Sequence, residues 1–271
     1  MMGAVEREFP LHFRMSTQKI ILGDCLDVLP SLADASVDMI LTDPPYGNTE
    51  KGSFWQRRDA VLGWKDGNGV YKNENSHSEL LTNDGKEADR IFKKALVEWV
   101  RVLSPGGNLC CCCGGGGGDN MQFAKWALWM SKVLKFKQAV VWDKGGIGTG
   151  WHYRRSYEMV MVATKRGASC KWYDETGIVE NVIRPGDYGI KKVVPKKGDH
   201  VVPKHVNLAV HFIKLHTQEG DTVLDSFMGR GWVGVACKRL NRNFIGIEID
   251  PKWHTAAEKR IQKFRKGFFS M

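Results

Sequence analysis

Four consecutive residues near the start of the chain combine hydrogen-bond acceptors with a flat ring. The apolar run Val37–Thr42 is followed directly by Asp43, Pro44, Pro45 and Tyr46. Two successive prolines fix φ and lack amide donors, so this turn is stiff and presents carbonyl oxygens without competing N–H groups. The Asp43 carboxylate adds acceptors, and Tyr46 adds a face for stacking. Residues of these types suit a planar target that carries hydrogen-bond donors.

One chemistry that needs only acceptors and a stacking ring is methylation of an aromatic amino group. The amino group of adenine is a poor nucleophile because its lone pair is delocalised into the ring. If Asp43 and the carbonyl of Pro44 accept its two hydrogens, the lone pair is localised. The carboxylate then offsets the positive charge that develops during attack on a sulfonium methyl group. A base inside a duplex must first rotate out, and Tyr46 would stack on it. A purely structural turn, capped by Asp43, is the alternative for these four residues alone.

A second group of chemistry-bearing residues lies near the end of the sequence. A short β-rich run, Thr222–Leu224, leads through Gly229 and Gly231 to Gly234 in a helical pattern. Glycines at this spacing permit a tight turn and a close approach of the backbone to a nucleoside cofactor. Glu248 ends the next strand-like run, where a carboxylate can accept hydrogen bonds from both ribose hydroxyls. Because few residues follow, the rest of the sheet is expected to come from earlier segments, which disfavours a dehydrogenase.

The elements that must position both groups alternate between β-rich runs and helical patterns. This rhythm predicts an α/β fold with a mostly parallel sheet and helices on both faces. The predicted strands are Lys19–Leu22, Val37–Thr42, Asn108–Cys113, Ala139–Trp142, Met159–Thr164, Thr222–Leu224 and Phe244–Ile247. The predicted helices are Glu87–Leu103, Met121–Leu134, Val206–Thr217, Val233–Leu240 and Trp253–Phe264. A turn at Ser104–Gly107 is predicted to separate the first helix from the next strand, because it contains proline and two glycines.

The composition is that of a globular protein with a basic surface. The 271 residues include 40 Lys and Arg against 30 Asp and Glu, which gives a formal net charge of +10. Such an excess favours polyanionic partners, either nucleic acid or an acidic membrane surface. No stretch approaches the roughly 20 apolar residues of a membrane-spanning helix, and the charged start of the sequence does not resemble a signal peptide.

The seven cysteines include a consecutive run, Cys110–Cys113. Neighbouring residues of a strand point to opposite faces, so these four thiols cannot close one tetrahedral metal site. The run is predicted to be a buried strand in a reducing cytosol, and no metal site is predicted.

Two polar regions, residues 47–85 and 167–200, interrupt the alternation of strands and helices. Both mix basic residues with aromatic ones, and this combination suits DNA because cations hold phosphates while rings stack on bases. The basic residues predicted to bind DNA in these regions are Arg57, Arg58, Lys191 and Lys192. A disordered insert is the alternative for the first region, and a solvated rim is the alternative for the second.

Together, Asp43–Tyr46 and Asp225–Gly231 give the sequence a family resemblance. Over most of residues 19–262 it resembles the amino-group DNA methyltransferases, which use S-adenosylmethionine to methylate adenine N6 or cytosine N4. The catalytic motif precedes the cofactor motif, as in the permuted β-type members of that family. The resemblance implies a Rossmann-like methyltransferase fold. Asp rather than Ser before the two prolines favours adenine, with cytosine as the alternative.

The resemblance also implies roles for individual residues. Asp43, Pro44, Pro45 and Tyr46 would form the catalytic turn that holds the target amino group and its ring. The residues implied to bind the cofactor are Asp24, Cys25, Asp43, Lys204, Asp225, Phe227, Gly229, Gly231 and Glu248. The residues implied to surround the flipped base and contact DNA are Trp151, Tyr153, Arg154 and Arg155.

Several positions depart from the family pattern. The family usually has proline at the position of Ser226, a small residue at Arg230 and threonine at Trp232. It usually has glutamine, lysine and proline where this chain has Pro203–His205. The bulky side chains of Arg230 and Trp232 lie beside the glycines and therefore bear on the shape of the cofactor pocket.

The resemblance and the charge together define the expected organisation. Residues 17–265 are expected to form one catalytic domain with a loop at 47–85 and a recognition region at about 167–200, flanked by an extension at 1–16 and a tail at 266–271. The expected partner is double-stranded DNA rather than RNA or a membrane, and the protein is expected in the cytoplasm as a monomer or homodimer. The alternatives are a nucleic-acid-binding relative that has lost catalysis, or methylation of RNA or of protein glutamine.

Overall fold

An eight-stranded sheet forms the centre of the molecule. The computed structural model describes residues 16–45, 85–114, 121–146, 156–191 and 204–264. The strands are β1 (Gln18–Leu22), β2 (Val37–Thr42), β3 (Leu103–Gly114), β4 (Lys135–Asp143), β5 (Tyr157–Thr164), β6 (Val182–Ile183), β7 (Thr222–Asp225) and β8 (Asn243–Glu248). They lie in the order β1-β8-β7-β2-β3-β5-β4-β6.

Helices cover both faces of this sheet and create two hydrophobic cores. They are α1 (Cys25–Val28), α2 (Gly85–Val102), α3 (Gln122–Val133), α4 (Val206–His216), α5 (Trp232–Arg239) and α6 (Pro251–Lys263), with single 3-10 turns at Leu29–Ser31 and Asp187–Gly189. The side chains of α1, α2 and α3 share one core, and those of α4, α5 and α6 share the other. In β7, Val223 faces the core of α4–α6 and Leu224 faces the core of α1–α3, as the two-residue period of a strand requires.

The sheet is mostly parallel, and its chain connections reverse between β7 and β2. The strands from β1 to β3 pair in parallel, whereas β5 runs antiparallel to both β3 and β4. The chain passes from β7 to β8 through α5 on one face, and it reaches β3 from β2 through α2 on the other face. Ligands of open α/β sheets bind at such a reversal, outside the carboxyl ends of the strands. The predicted α/β fold is confirmed.

The run Cys110–Cys113 occupies the middle of the sheet in β3. Cys110 and Cys112 lie in the core of α4–α6, and Cys111 and Cys113 lie in the core of α1–α3. All four thiols are buried, and burial raises the pKa of each above its ordinary value. The predicted buried strand is confirmed, and the opposite orientations of neighbouring thiols are as expected.

The predicted turn at Ser104–Gly107 was wrong, because β3 already begins at Leu103. Gly106 has a φ of +78°, and a Cβ there would overlap the carbonyl oxygen of Ser169. The pairing of β3 with β2 shifts in register within this stretch. The turn residues are therefore absorbed into an irregular first part of the strand. None of the helices in the described ranges is long and apolar enough to cross a membrane.

Candidate active site

The carboxyl ends of β2 and β7 lie side by side at one edge of the sheet, which we call the catalytic edge. The two strands pair in parallel, with Ile40 opposite Leu224. Thr42, the last residue of β2, donates a 2.9 Å hydrogen bond from Oγ1 to Oδ1 of Asp225, the last residue of β7. Asp43 follows Thr42 directly, so the fold joins the two groups of residues that the sequence holds far apart.

Asp43 is held by a buried lysine that a second acid shares. The Nζ atom of Lys204, just before α4, lies 2.6 Å from Asp43 Oδ2 and 2.8 Å from Glu158 Oε2. Glu158 Oε1 lies 2.7 Å from Nζ of Lys144, at the end of β4. We call these four residues the ion-pair chain. Side-chain exposure rises along it from 2% at Lys204 and 9% at Glu158 to 37% at Lys144, so the chain leads from the interior to solvent.

The ion-pair chain keeps its buried members charged. Burial alone raises the pKa of Glu158, but the ammonium groups of Lys204 and Lys144 outweigh burial and lower this pKa to about 2. Burial alone lowers the pKa of Lys204, but the carboxylates of Asp43 and Glu158 raise it above its ordinary value. Each charge therefore depends on its neighbours, because an unpaired buried charge costs several kcal/mol, on the order of 3–5.

Asp225 is fully buried beside this chain, and only one of its oxygens is satisfied. Oδ1 accepts hydrogen bonds from Thr42 Oγ1 and, at 3.1 Å, from the backbone N–H of Phe227. Oδ2 is buried and accepts no hydrogen bond from any residue in the described ranges. Burial raises the pKa of Asp225 to about 8. Buried polar atoms in proteins almost always have partners, so Oδ2 fits the ammonium group of S-adenosylmethionine.

The glycine-rich turn after β7 is tied to the end of β8. Glu248 accepts a 2.7 Å hydrogen bond from the N–H of Gly229 and a 2.9 Å bond from the N–H of Asp250. Gly229 and Gly231 have φ angles of +50° and +71°, in the region that favours glycine. Burial raises the pKa of Glu248. Because β8 is the neighbour of β7, this carboxylate lies at the same edge as Asp225.

Three further residues predicted to bind the cofactor, Asp24, Cys25 and Phe227, are among the described residues. In the register of β1 and β8, Leu22 is opposite Glu248, so Asp24 also follows a strand at the catalytic edge. The Asp24 side chain accepts a hydrogen bond from the first turn of α1, and Cys25 is buried in the core. The ring of Phe227 packs edge-on against an indole of α2.

Three of the departures from the family pattern, at Ser226, Trp232 and His205, have local structural explanations. Ser226 Oγ accepts a 3.0 Å hydrogen bond from Nε1 of the buried Trp99, which proline could not do. Trp232 is 5% exposed and packs in the core of α4–α6, so its bulk is directed into that core. His205 Nδ1 accepts a hydrogen bond from the N–H of Asn207 and thereby caps α4.

Not all predicted site residues lie within the described ranges. Pro44 is buried and Pro45 is partly exposed beside Asp43, and Lys191 is exposed after the 3-10 turn Asp187–Gly189. The predicted residues outside the described ranges are Tyr46, Arg57, Arg58, Trp151, Tyr153, Arg154, Arg155 and Lys192.

Two members of the ion-pair chain, Glu158 and Lys144, were not predicted as site residues. Glu158 is a charged residue that opens the otherwise apolar run of β5, and Lys144 follows the apolar end of β4. A charge at the margin of a strand is common on protein surfaces. Neither signal would have distinguished a buried ion pair from a solvated strand end.

The α/β fold and the acidic catalytic edge together define the class of protein. A family model described as DNA methylase, for N6 and N4 methyltransferases, matches residues 37–259, and the chain belongs to that family. The predicted resemblance to the S-adenosylmethionine-dependent amino-group DNA methyltransferases is confirmed.

Individual relatives match nearly the whole chain. The type II methyltransferase M2.DpnII of Streptococcus pneumoniae is 24% identical over 274 residues, which cover 93% of this chain and 92% of that protein. Two solved structures share the fold at lower identity. TTHA0409 from Thermus thermophilus, complexed with S-adenosyl-L-methionine, has a TM-score of 0.60 at 21% identity and covers 93% of this chain and 97% of its own. The cytosine-N4-specific PvuII DNA methyltransferase has a TM-score of 0.66 at 16% identity and covers 93% and 88%.

Proposed function

We propose that this protein transfers a methyl group from S-adenosylmethionine to N6 of adenine in double-stranded DNA. The observation that carries the proposal is the junction of β2 and β7, where Thr42 links Asp225 to the strand end that bears Asp43. Acceptors for an amino group and an unsatisfied acceptor for a cationic cofactor thereby share one edge of the sheet.

In this proposal the catalytic turn binds the target amino group through its acceptors. The carboxylate of Asp43 and the carbonyl of Pro44 accept the two amino hydrogens, and Tyr46 stacks on the flipped base. When bound, S-adenosylmethionine supplies a methyl group on a positively charged sulfur. The C–N bond would form as the C–S bond breaks, so that the sulfur leaves as a neutral thioether. Asp43 would offset the positive charge that develops on the amino nitrogen until that nitrogen loses a proton to solvent, and this preorganised charge accelerates the reaction.

Residues at the ends of β1, β8 and β7 would hold the cofactor. Asp225 Oδ2 would accept a hydrogen bond from its ammonium group, Glu248 from its ribose hydroxyls and Asp24 from the amino group of its adenine. Glu248 has a second task, because its hydrogen bond to the N–H of Gly229 holds the turn that lines the pocket. A neutral Asp225 pairs more weakly with an ammonium group than an ionised one does. We therefore expect this carboxyl to ionise when the cofactor binds.

We restrict the proposed recognition region, predicted at about residues 167–200, to the later part of that range. Nδ2 of Asn207, at the start of α4, donates hydrogen bonds to the carbonyl oxygens of Tyr188 and Gly189, so residues 182–191 lie near the catalytic edge. In contrast, Lys171 pairs at 2.5 Å with Asp38 near the start of β2, at the opposite edge. We propose that residues 182–191, including Lys191, contact DNA.

Methylation of cytosine at N4 is the second candidate function. It is favoured by the similarity in fold to the cytosine-N4-specific PvuII enzyme. Asp43 before the two prolines favours adenine, as the family resemblance implies.

Identification of the methylated nucleoside decides between these functions. We would incubate the protein with methyl-labelled S-adenosylmethionine and duplex DNA, digest the DNA to nucleosides and separate them. The expected product is N6-methyldeoxyadenosine. Label in N4-methyldeoxycytidine would support the second candidate, and label found only with RNA or protein substrates would contradict both.

The substitution Asp43→Ala tests the role of the catalytic turn. It should abolish methyl transfer but leave cofactor binding, measured by calorimetry, largely intact, because Lys204 keeps its ion pair with Glu158. Asp38→Ala is the matched control, since it removes a carboxylate from the other end of the same strand. Full turnover by the Asp43 variant would contradict the proposed mechanism.

We further propose that the protein acts in the cytoplasm as a monomer or a homodimer. All seven cysteines are free and all but Cys170 are buried, which fits a reducing compartment. Sedimentation velocity over a range of protein concentrations distinguishes the two oligomeric states.

A further inference from the structure

Glu158 is a buried acid beside the catalytic turn. The family resemblance includes it as the last residue of the segment Trp151–Glu158, which is implied to pack around the flipped base, but gives it no role of its own. It lies near the beginning of β5, and because this strand is antiparallel, its beginning reaches the edge at which β2 and β7 end. Its Oε2 lies 2.8 Å from the same Lys204 Nζ that approaches Asp43 Oδ2 to 2.6 Å. Two acids therefore share one buried ammonium group.

We propose that Glu158 is a positioning residue for methyl transfer: it shares the Lys204 ammonium group and so keeps the charge of the Asp43 carboxylate available to the target amino group. This inference rests on the proposed function of Asp43 as the acceptor for that amino group. Glu158 itself touches neither substrate nor cofactor in this assignment, and it acts only through Lys204.

The net charge of the groups at the catalytic edge depends on Glu158. Lys204 and Asp43 alone would form a neutral pair, and the ammonium group would oppose the positive charge that develops on the substrate nitrogen. With Glu158 included, two carboxylates and one ammonium group leave a net charge of −1. Lys204 is 2% and Glu158 9% exposed, so these interactions are weakly screened by water.

Within the described ranges, Lys144 is a second cation that contacts Glu158, and counting it makes the ion-pair chain neutral. Lys144 pairs with Oε1, the oxygen of Glu158 that does not contact Lys204, and its side chain is 37% exposed, so water screens its effect on Asp43 more than the effect of the buried Lys204. Cys112 and Cys113 lie in β3 on opposite faces of the sheet, and burial raises the pKa of both thiols, which are therefore neutral. Asp225 lies across β2, and its pKa of about 8, raised by burial, leaves it mostly neutral at pH 7.

The substitution Glu158→Gln tests the inference because it removes the charge and keeps the size. The kcat for methyl transfer should fall about 10- to 100-fold, while the KM values for DNA and cofactor stay close to those of the wild type. The acid limb of the kcat–pH profile should move to lower pH, because removing a buried negative charge from the catalytic edge favours the ionised form of a neighbouring acid. A merely structural role would not move this limb.

A second measurement does not depend on activity. The pKa of Glu158, about 2 in the folded protein against an ordinary 4.5, means that its ionisation stabilises the fold fully above pH 4.5. This contribution is lost as the pH falls from 4.5 towards 2. When the free energy of unfolding in urea is measured as the pH falls from 4.5 towards 2, the Glu158→Gln variant should therefore lose less of it than the wild type does.

Asp38→Asn is the matched control, since it neutralises a partly buried acid paired with Lys171 at the opposite edge. Its kcat and pH profile should match the wild type. If Glu158→Gln does not fold, Glu158→Asp replaces it in the test. This variant keeps the charge, so its acid limb should remain at the wild-type pH, and a shifted limb would overturn the inference.

Three further results would count against Glu158 as a positioning residue. Wild-type kcat and pH profile in Glu158→Gln would overturn the inference, as would a loss of activity that merely follows the folded fraction with an unmoved acid limb. If the wild-type protein methylated no nucleoside, the proposed function would fail and the inference with it. The first two results leave the wild-type activity intact, so the two failures are distinguishable.

Discussion

At the scale of single residues, Asp225 is a buried carboxyl that the fold satisfies only in part. Its Oδ1 is satisfied by Thr42 and Phe227, whereas Oδ2 is buried without a donor among the described residues. The fold tolerates this carboxyl best when it is protonated, because burial raises its pKa to about 8 against an ordinary 3.8. Folding therefore takes up a proton here at neutral pH.

This uptake predicts a pH-dependent difference between the wild type and Asp225→Asn. Native Asp225 binds a proton that the unfolded chain has lost. As the pH rises, the free energy of unfolding of the wild type should therefore fall by about 1.4 kcal/mol per pH unit relative to that of the variant. The slope should hold between about pH 5 and pH 7, inside the window from 3.8 to about 8. Urea unfolding of both cofactor-free proteins measures it.

The same variant provides a functional check. Asparagine still offers an oxygen to Thr42 and Phe227, but it has lost the charge proposed to pair with the cofactor ammonium group. The cofactor Kd should therefore rise, and calorimetry of folded Asp225→Asn measures it. Equal pH slopes for the two proteins would show that Asp225 is already ionised in the native state, and an unchanged cofactor Kd in Asp225→Asn would refute its proposed role as the acceptor.

The site residues that could be predicted from the sequence differ in kind from the site residues that could not. Asp225 and Glu248 end strands and Asp43 directly follows one, each within a recognisable local pattern, and the structure places all three at one edge. Lys204 was predicted through the family resemblance alone, and Glu158 carries no such pattern. The contact between these two residues exists only once β5 and the start of α4 are packed together. Spacing along the chain cannot express that contact.

At the scale of elements, Gly234 allows α5 to pack close to its neighbours. A Cβ at this position would come closer than 3.0 Å to Ile261 of α6 and to Phe244 of β8. The last glycine of the fingerprint thus serves the packing of a helix against the sheet, as the dinucleotide motif requires.

Gly234→Ala should therefore destabilise the protein despite the better helix propensity of alanine. Overpacking costs about 1–3 kcal/mol, against a gain of up to about 1 kcal/mol from replacing glycine in a helix. The free energy of unfolding in urea measures the balance. In an Ile261→Val background the cost should be smaller, because the terminal methyl group nearest to the new Cβ is gone. An equal cost in both backgrounds would contradict this packing role.

The sequence predicted the longer elements well because their patterns are long enough to be distinctive. All seven predicted strands and all five predicted helices occur, with ends that shift by a few residues. The short elements β6 and α1 were missed, since two or four residues carry no periodicity. The early start of β3 was missed because Ser104–Gly107 has the composition of a turn. The conformation of this segment depends on its contact with the distant residue Ser169, which the local sequence does not indicate.

At the scale of the whole molecule, the net charge of +10 favours a polyanion but does not say where it binds. The connection from β4 to β5 helps to place the surface. Its described ends, Lys144 and Ser156, lie at the catalytic edge and are joined by a backbone hydrogen bond. Arg154 and Arg155 belong to this connection in the sequence, which supports their prediction as DNA-binding residues.

Replacing Arg154 and Arg155 with alanine should weaken DNA binding and flatten its salt dependence. Each lost phosphate contact should reduce the slope of log K against log salt concentration by about 0.9, because one counterion fewer is released. Fluorescence anisotropy across a salt series measures the slope. Arg166→Ala is the control, since this exposed residue follows β5 at the opposite edge. An unchanged slope in the double variant would remove both arginines from the DNA surface.

The pairing of β1 with β8 has a consequence for how the molecule is made. In the described part of the chain, β8 is the strand that pairs with β1, so β1 cannot find this partner until more than 200 further residues have been synthesised. Contacts between such remote segments close a large loop and slow folding. During translation, β1 and β2 leave the ribosome long before β7 and β8 exist to separate them. We expect the nascent chain to remain protease-sensitive until β7 and β8 have emerged.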